Sequence, residues 1–254
     1  MNYLIIALTG YMFILGTLFG SFFNVVGIRV PRGESILGRS HCPNCNKILG
    51  VLELIPILGY IFVGGKCKSC HTPISVKYPI MEFITGVLFA FSFVLLYDNV
   101  VEYIVIVLFI SLMVIVTVSD LYYRTVPDKI LLIFLPVIFI LRIVSPLEHW
   151  YDGIIGGLLG FGFLYLVAWY GKKRFKKEAL GGGDIKLYAI IGLVLGYETV
   201  FLSLFFAALS GLIVNLIVGK KEGYIPFVPF IFFGSLIAYF YGNQVLDWYM
   251  GLLI

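Results

Sequence analysis

From Val100 to Ser119 the chain is almost wholly apolar, with one charge, Glu102, and stretches of this kind return along most of its length. Each is long enough, or nearly so, to cross a hydrocarbon core of about 30 Å as a helix. Hydropathy sets about eight such segments, near residues 3–28, 79–97, 101–119, 127–145, 151–171, 184–197, 199–218 and 227–253. A composition of 61% hydrophobic and 13% charged residues, with mean hydropathy +1.03, lies far from a soluble domain's balance. The expected fold is therefore an all-α polytopic membrane protein with a small cysteine-bearing insertion between the first two spans. The segment at 184–197 is short and opens on glycines, so it reads as a partial span or one with a broken start. Irregular backbone at that depth needs cover from other helices or a water-filled cavity.

Basic residues give the orientation. Arg29, Arg32, Arg39, Lys47, Lys66, Lys68 and Lys77 fall in the first loop, and Arg124 and Lys129 in the third. Lys172, Lys173, Arg174, Lys176, Lys177 and Lys186 fall in or beside the fifth, and Lys220 and Lys221 in the seventh. By the positive-inside rule these loops are cytoplasmic and both termini lie outside. Only Arg142 breaks the alternation. The formal charge of +4 thus reads as an orientation signal, with no nucleic-acid patch. The run from Lys172 to Lys177 is a stop-transfer flank that also suits anionic lipid headgroups.

Met1 to Phe13 carries no basic residue and its apolar run is too long for a signal peptide, so the first segment is expected to be retained. Ser21 and Asn24 are spaced i, i+3 on that segment and suit hydrogen bonds to a neighbouring helix.

Residues 29–78 form the longest polar stretch and hold all four cysteines, as Cys42-Pro43-Asn44-Cys45 and Cys67-Lys68-Ser69-Cys70. Paired knuckles of this kind can offer four thiolates tetrahedrally to Zn2+, and a cytoplasmic loop disfavours disulfides. Redox-active or free thiols are the alternative. His41 and His71 adjoin the knuckles and can substitute for a thiolate, although bystander roles suit them better. A metal held by four protein ligands is structural, and a module of this size has little core without a staple.

Two aspartates carry the chemistry. Asp120 ends an apolar run, and Asp184 follows Gly181-Gly182-Gly183. Carboxylates in membrane segments are rare and usually functional. Each is expected at the cytoplasmic end of its span, Asp120 closing one helix and Asp184 opening another, so the two can meet. Two carboxyl groups at close range hold one proton between them, the arrangement by which aspartyl proteases activate water. The glycines allow close backbone approach and room for water. Simpler roles exist: Asp120 paired with Arg124 at i+4, Asp184 as a helix-start acid, and Asp128, after Pro127, as a loop organiser.

In this order the motifs resemble the bacterial type IV prepilin peptidase and N-methyltransferase family over nearly the whole chain. Gly20-Ser21-Phe22-Phe23-Asn24-Val25 with Arg29 and Pro31 is similar to the family's opening motif, and the cysteine pairs to its cytoplasmic domain. Glu53-Leu54-Ile55-Pro56, Gly65-Lys66-Cys67 and the string from Ile74 through Tyr78-Pro79 to Glu82 and Gly86 follow. Asp120 with Val126-Pro127-Asp128 resembles the first catalytic motif, and Gly181-Gly182-Gly183-Asp184 with Lys186 the Gly-x-Gly-Asp signature of the second. Pro226-Phe227-Val228-Pro229-Phe230 departs from the family in having Val228 where glycine is frequent.

The resemblance implies catalytic Asp120 and Asp184, with Gly181, Gly182, Gly183 and Lys186 in the active-site loop. It implies a first span over 1–28, a methyltransferase region over 29–78 with a zinc site of four cysteines, and a peptidase bundle over 79–254. The implied substrates are type IV prepilins or pseudopilins cut after a leader glycine at the inner membrane's cytoplasmic face, with S-adenosylmethionine as methyl donor. No glycine-rich nucleotide loop is visible, so no donor-binding residue is assigned. A basic leader needs acids to recognise it, and Glu53, Glu82 and Glu178 are the candidates. The rival readings are a proton-coupled transporter, a zinc-bearing scaffold, and a peptidase without methylation.

Overall fold

The computed structural model describes residues 3–176, 181–218 and 225–252. Lys177, Glu178, Lys220 and Lys221 lie outside the described residues. Among those described, ten α-helices carry the fold: α1 Tyr3–Arg29, α2 Val51–Leu54, α3 Leu58–Phe62, α4 Lys77–Leu96, α5 Val100–Tyr123, α6 Asp128–Val144, α7 Asp152–Phe175, α8 Gly182–Leu195, α9 Val200–Val218 and α10 Val228–Gly251. There are no strands among them, only isolated bridges His41 to Ile48 and Lys66 to Pro73. Among the described residues, five helical stretches are long and apolar enough to cross a membrane: Tyr3–Arg32, Lys77–Leu96, Val100–Tyr123, Asp152–Arg174 and Val200–Ile217. At 14 residues α8 is shorter than the length a full span needs, and α6, at 17, lies at its lower limit. The all-α membrane architecture read from hydropathy is thus the observed one.

One boundary differs from expectation. Asp120 does not close its helix, because α5 continues through Tyr123 and the Asp120 carbonyl accepts the Arg124 N–H at 2.9 Å. Leu121, Tyr122 and Tyr123 have no helix-breaking character. Arg124, at φ 55°, supplies the left-handed residue that ends the helix.

The chain divides into two compact units, Met1–Val118 and Ser119–Ile254. In the first, α1 and α4 lie so close that a Cβ at Gly16 would come within 2.8 Å of Gly86 Cα, and one at Gly20 within 2.9 Å of Glu82 Cα. Small residues permit such backbone approach where lipid supplies no hydrophobic drive between helices. Asn24 Nδ2 donates to the Tyr78 carbonyl at 3.2 Å, the cross-helix bond that its position on the first segment predicts.

In the second unit α7 turns four glycines toward α8. An added Cβ at Gly153, Gly156, Gly157 or Gly160 would strike the carbonyl oxygen of Leu193, Gly192, Ala189 or Tyr188 in turn. Arg142, the exception to the charge alternation, is buried at 5% exposure and donates to the Val194 carbonyl at 2.7 Å. Its charge meets the carbonyl end of α8, which favours a cation. Arg142 is therefore explained by packing and carries no topological signal.

Candidate functional site

Asp120 sits one turn before the end of α5, closing a stretch from Ser111 in which every side chain is buried. At 7% exposure its carboxylate needs partners. The Val228 N–H, first in α10, donates to Asp120 Oδ2 at 3.0 Å. A helix leaves its first N–H groups without internal acceptors. The start of α10 thus finds in Asp120 the acceptor that the chain around it lacks.

Asp184 lies in the first turn of α8, and its N–H bonds to the Gly181 carbonyl at 3.1 Å. The start of α8 lies against the α5–α6 connection, so Asp184 follows a glycine packed against the turn that succeeds Asp120. Both of the carboxyl groups that the sequence singles out lie in the second compact unit, one near the end of α5 and one in the first turn of α8.

The three glycines before Asp184 play different parts. At Gly183 a Cβ would come within 2.7 Å of Val126 Cβ, so α8 approaches the α5–α6 connection only because this side chain is absent. At Gly181 a Cβ would approach Asp184 Oδ2 at 3.2 Å, and Gly182 faces open space. Lys186 turns away from its near neighbour Asp184. Its Nζ meets both carboxylate oxygens of Asp128 at 2.9 Å. Asp128 is the first residue of α6, so this pair ties the start of α6 to that of α8 and gives Asp128 the organising role expected of it.

In the first unit the four cysteines converge, with Sγ atoms all within 4.8 Å of one another. Cys42 Sγ lies 3.7 Å from Cys70 Sγ, and Cys45 Sγ 3.8 Å from Cys67 Sγ. A tetrahedral ion with metal–sulfur bonds of about 2.3 Å requires sulfur separations of about 3.8 Å, so the set fits a metal of that geometry.

The knuckles are local copies. Cys42 N–H bonds to Lys47 O at 2.9 Å and Cys67 N–H to Thr72 O at 3.0 Å. Asn46 and His71, both at φ 55°, make the equivalent left-handed turns. His71 is thus a turn residue, and His41 Nδ1 lies 3.2 Å from the Arg39 carbonyl oxygen. The Thr72 hydroxyl, first among its partners, lowers the Cys70 thiol to about 5. Cys67 is lowered chiefly by the Cys70 N–H. At Cys45 the Lys47 N–H pulls down, but partial desolvation and the neighbouring thiols together push it up to about 11. Four sulfurs so close together, once deprotonated, need a cation to neutralise them.

The three acids considered for leader recognition differ in setting. Glu53 Oε2 accepts the Gly50 N–H at 2.6 Å and caps α2. Glu82 Oε2 accepts the Ile57 N–H at 2.7 Å. Glu178 lies outside the described residues. Sequence reasoning missed the Val228 donor and the Ile57 turn, because neither announces itself through a side chain. It also passed over the α7 glycines, whose i, i+3 and i+4 spacing was a visible signal.

Residues 14–96 match the bacterial peptidase A24 N-terminal domain, and residues 107–216 match the type IV leader peptidase family. A Bacillus subtilis (strain 168) protein named prepilin leader peptidase/N-methyltransferase is 40% identical, over 94% of this chain and 96% of its own length. Proteins of the same name from Myxococcus xanthus (strain DK1622) and Pectobacterium carotovorum subsp. carotovorum are 32% and 30% identical. These cover 84% and 82% of this chain, and 64% and 82% of their own lengths. No solved structure matches. Whole-length similarity and two family matches in order agree with the motifs on α1, α4, α5 and α8: the chain belongs to the type IV leader peptidase family.

Proposed function

We propose that this protein cleaves the basic leader from type IV prepilins or pseudopilins, with Asp120 and Asp184 as the catalytic pair. The observation that carries the reading is a buried Asp120 held by the α10 N-terminus, with the start of α8, which bears Asp184, packed against the α5–α6 connection that follows it. One carboxylate takes a proton from water as the oxygen attacks the scissile carbonyl carbon, while the other, protonated, donates to the carbonyl oxygen. Collapse of the tetrahedral intermediate breaks the C–N bond and returns a proton to the leaving amine. Val228 and Gly183 are positioning residues in this scheme: the first orients Asp120, the second lets Asp184 approach.

The orientation that fits this chemistry has about eight crossings, both termini outside, and residues 29–78 with the dyad end of the bundle on the cytoplasmic side of the inner membrane. A substrate whose leader is basic and whose mature part begins with an apolar helix presents its bond at that interface. We read residues 1–28 as the first span, 29–78 as the methyl-transfer module and 79–254 as the peptidase bundle. In the module Cys42, Cys45, Cys67 and Cys70 would hold Zn2+, which supplies a structural cross-link.

The second half of the proposal is N-methylation of the new amino terminus, with S-adenosylmethionine as donor. The described residues contain no strand from which a nucleotide loop could spring, so no residue is assigned to the donor and no step is derived through it.

The test is incubation of the full chain in liposomes with a prepilin peptide, with and without S-adenosylmethionine, followed by intact mass spectrometry. Cleavage after the leader glycine, and gain of one methyl group only with the donor, is the expected result. Uncut peptide would sink the peptidase reading.

A further inference from the structure

Ile57 adopts φ 62° and ψ −55°, a backbone conformation that β-branched residues almost never occupy. The Leu58 N–H closes onto the Pro56 carbonyl at 2.6 Å, so Pro56-Ile57-Leu58 is a γ-turn of the strained, positive-φ kind. Strain of this sort persists only where the surroundings over-determine it, and it gathers at functional sites. The turn directs the Ile57 N–H at Glu82 Oε2, 2.7 Å away.

Glu82 is the one buried acid of α4, at 7% exposure, and the acceptor of this charge-assisted bond. Its helix is fixed from behind. Gly20 of α1 lies against the Glu82 backbone, Ser21 lies beside its side chain, and Asn24 bonds to Tyr78 one turn earlier. On the other side the turn opens α3, which leads directly into the second knuckle. A Cβ at Gly59 would come within 2.6 Å of the Glu53 carbonyl, and the Gly65 N–H bonds to Tyr60 O at 3.0 Å. The Ile74 N–H bonds to Gly65 O at 2.8 Å, closing the hairpin that carries Cys67 and Cys70.

We infer that Glu82 is a positioning residue for methyl transfer: its carboxylate holds the strained Ile57 turn and thereby fixes the cysteine module against the α1–α4 pair. The inference rests on the reading of that module as the methyl-transfer region. Peptide cleavage, by residues of the other unit, does not depend on this latch. A carboxamide at position 82 still offers an oxygen to the Ile57 N–H, whereas alanine offers none. Glycine at position 57 adopts the turn without strain, so it removes the need for a latch.

The experiment compares wild type, Glu82→Gln, Glu82→Ala, Ile57→Gly and the double variant Glu82→Ala/Ile57→Gly as full chains in liposomes. Tryptic cutting at Lys47, Lys66 and Lys68 is measured alongside cleavage and methylation of a prepilin peptide. Glu82→Ala should be cut about tenfold faster in the module, as expected of a locally opened segment. It should lose methylation about tenfold in kcat with little change in KM for the peptide, and keep its peptide cleavage. Glu82→Gln should stay near wild type, and Ile57→Gly in the alanine background should restore both protection and methylation.

Equal tryptic resistance of Glu82→Ala and wild type overturns the latch. So does a double variant as defective as Glu82→Ala, which would make Glu82 a substrate-contacting group. If wild type methylates nothing, the methyltransferase half of the proposed function fails, while the tryptic comparison still decides the latch.

Discussion

The backbone N–H of Val228 donates to Asp120 Oδ2 across 108 residues of sequence, joining the first residue of α10 to a buried carboxylate near the end of α5. Because the donor is backbone, its chemistry is indifferent to the side chain at 228. Val228→Gly should therefore keep kcat for peptide cleavage within about threefold of wild type, at a stability cost of about 1–2 kcal/mol for the lost buried side chain. A purified-enzyme assay with thermal unfolding checks both. A kcat loss beyond tenfold would mean the Val228 side chain itself shapes the site.

Gly183 and Gly182 separate steric need from mere proximity. Gly183→Ala forces α8 away from Val126 and should lower kcat/KM by about tenfold or more, since small displacements of a catalytic group are costly. Gly182→Ala has open space and should be near neutral. Val126→Gly in the Gly183→Ala background should recover activity, and failure to do so would place the Gly183 effect elsewhere.

The Lys186–Asp128 pair is bidentate but exposed, at 53% and 59%, so screening limits it to about 0.5 kcal/mol. Lys186→Met or Asp128→Asn should reduce kcat/KM only about threefold, and less at high salt. The exchange Lys186→Asp/Asp128→Lys should restore it. A thousandfold loss in Lys186→Met would instead make the lysine a direct participant in the chemistry.

Metal removal tests the cysteine module. A thiol-competitive chelator should release one equivalent of metal per chain and raise proteolysis within residues 29–78 about tenfold, because binding energy of such sites is folding energy. Cleavage of prepilin should survive. Unchanged proteolysis after verified metal loss would remove the structural role of the metal.

The helices were legible because hydropathy is a property of each segment alone, and the knuckles because ligand spacing is local. Asp120 and Asp184 stood out since an acid among aliphatic residues has few cheap explanations. What stayed hidden was relational. The Val228 donor has no side-chain signature, and the Ile57 turn contradicts its residue's own preference. Arg142 stood as an unexplained exception to the charge alternation until its burial against the Val194 carbonyl was known. Asp120 looked like a helix end because the apolar run stops there, but Leu121 to Tyr123 carry the helix another turn. The α7 glycines were readable from spacing, yet their partner helix was not.

The central claim is that Asp120 and Asp184 perform the hydrolysis together, and single-turnover cleavage of a prepilin peptide by wild type, Asp120→Asn and Asp184→Asn tests it most directly. Each variant, inserted and folded as wild type is, should lose at least about a thousandfold in rate, and the double variant should be little worse than either single one, as expected for residues that act as a unit. Normal cleavage by either folded variant would contradict the account.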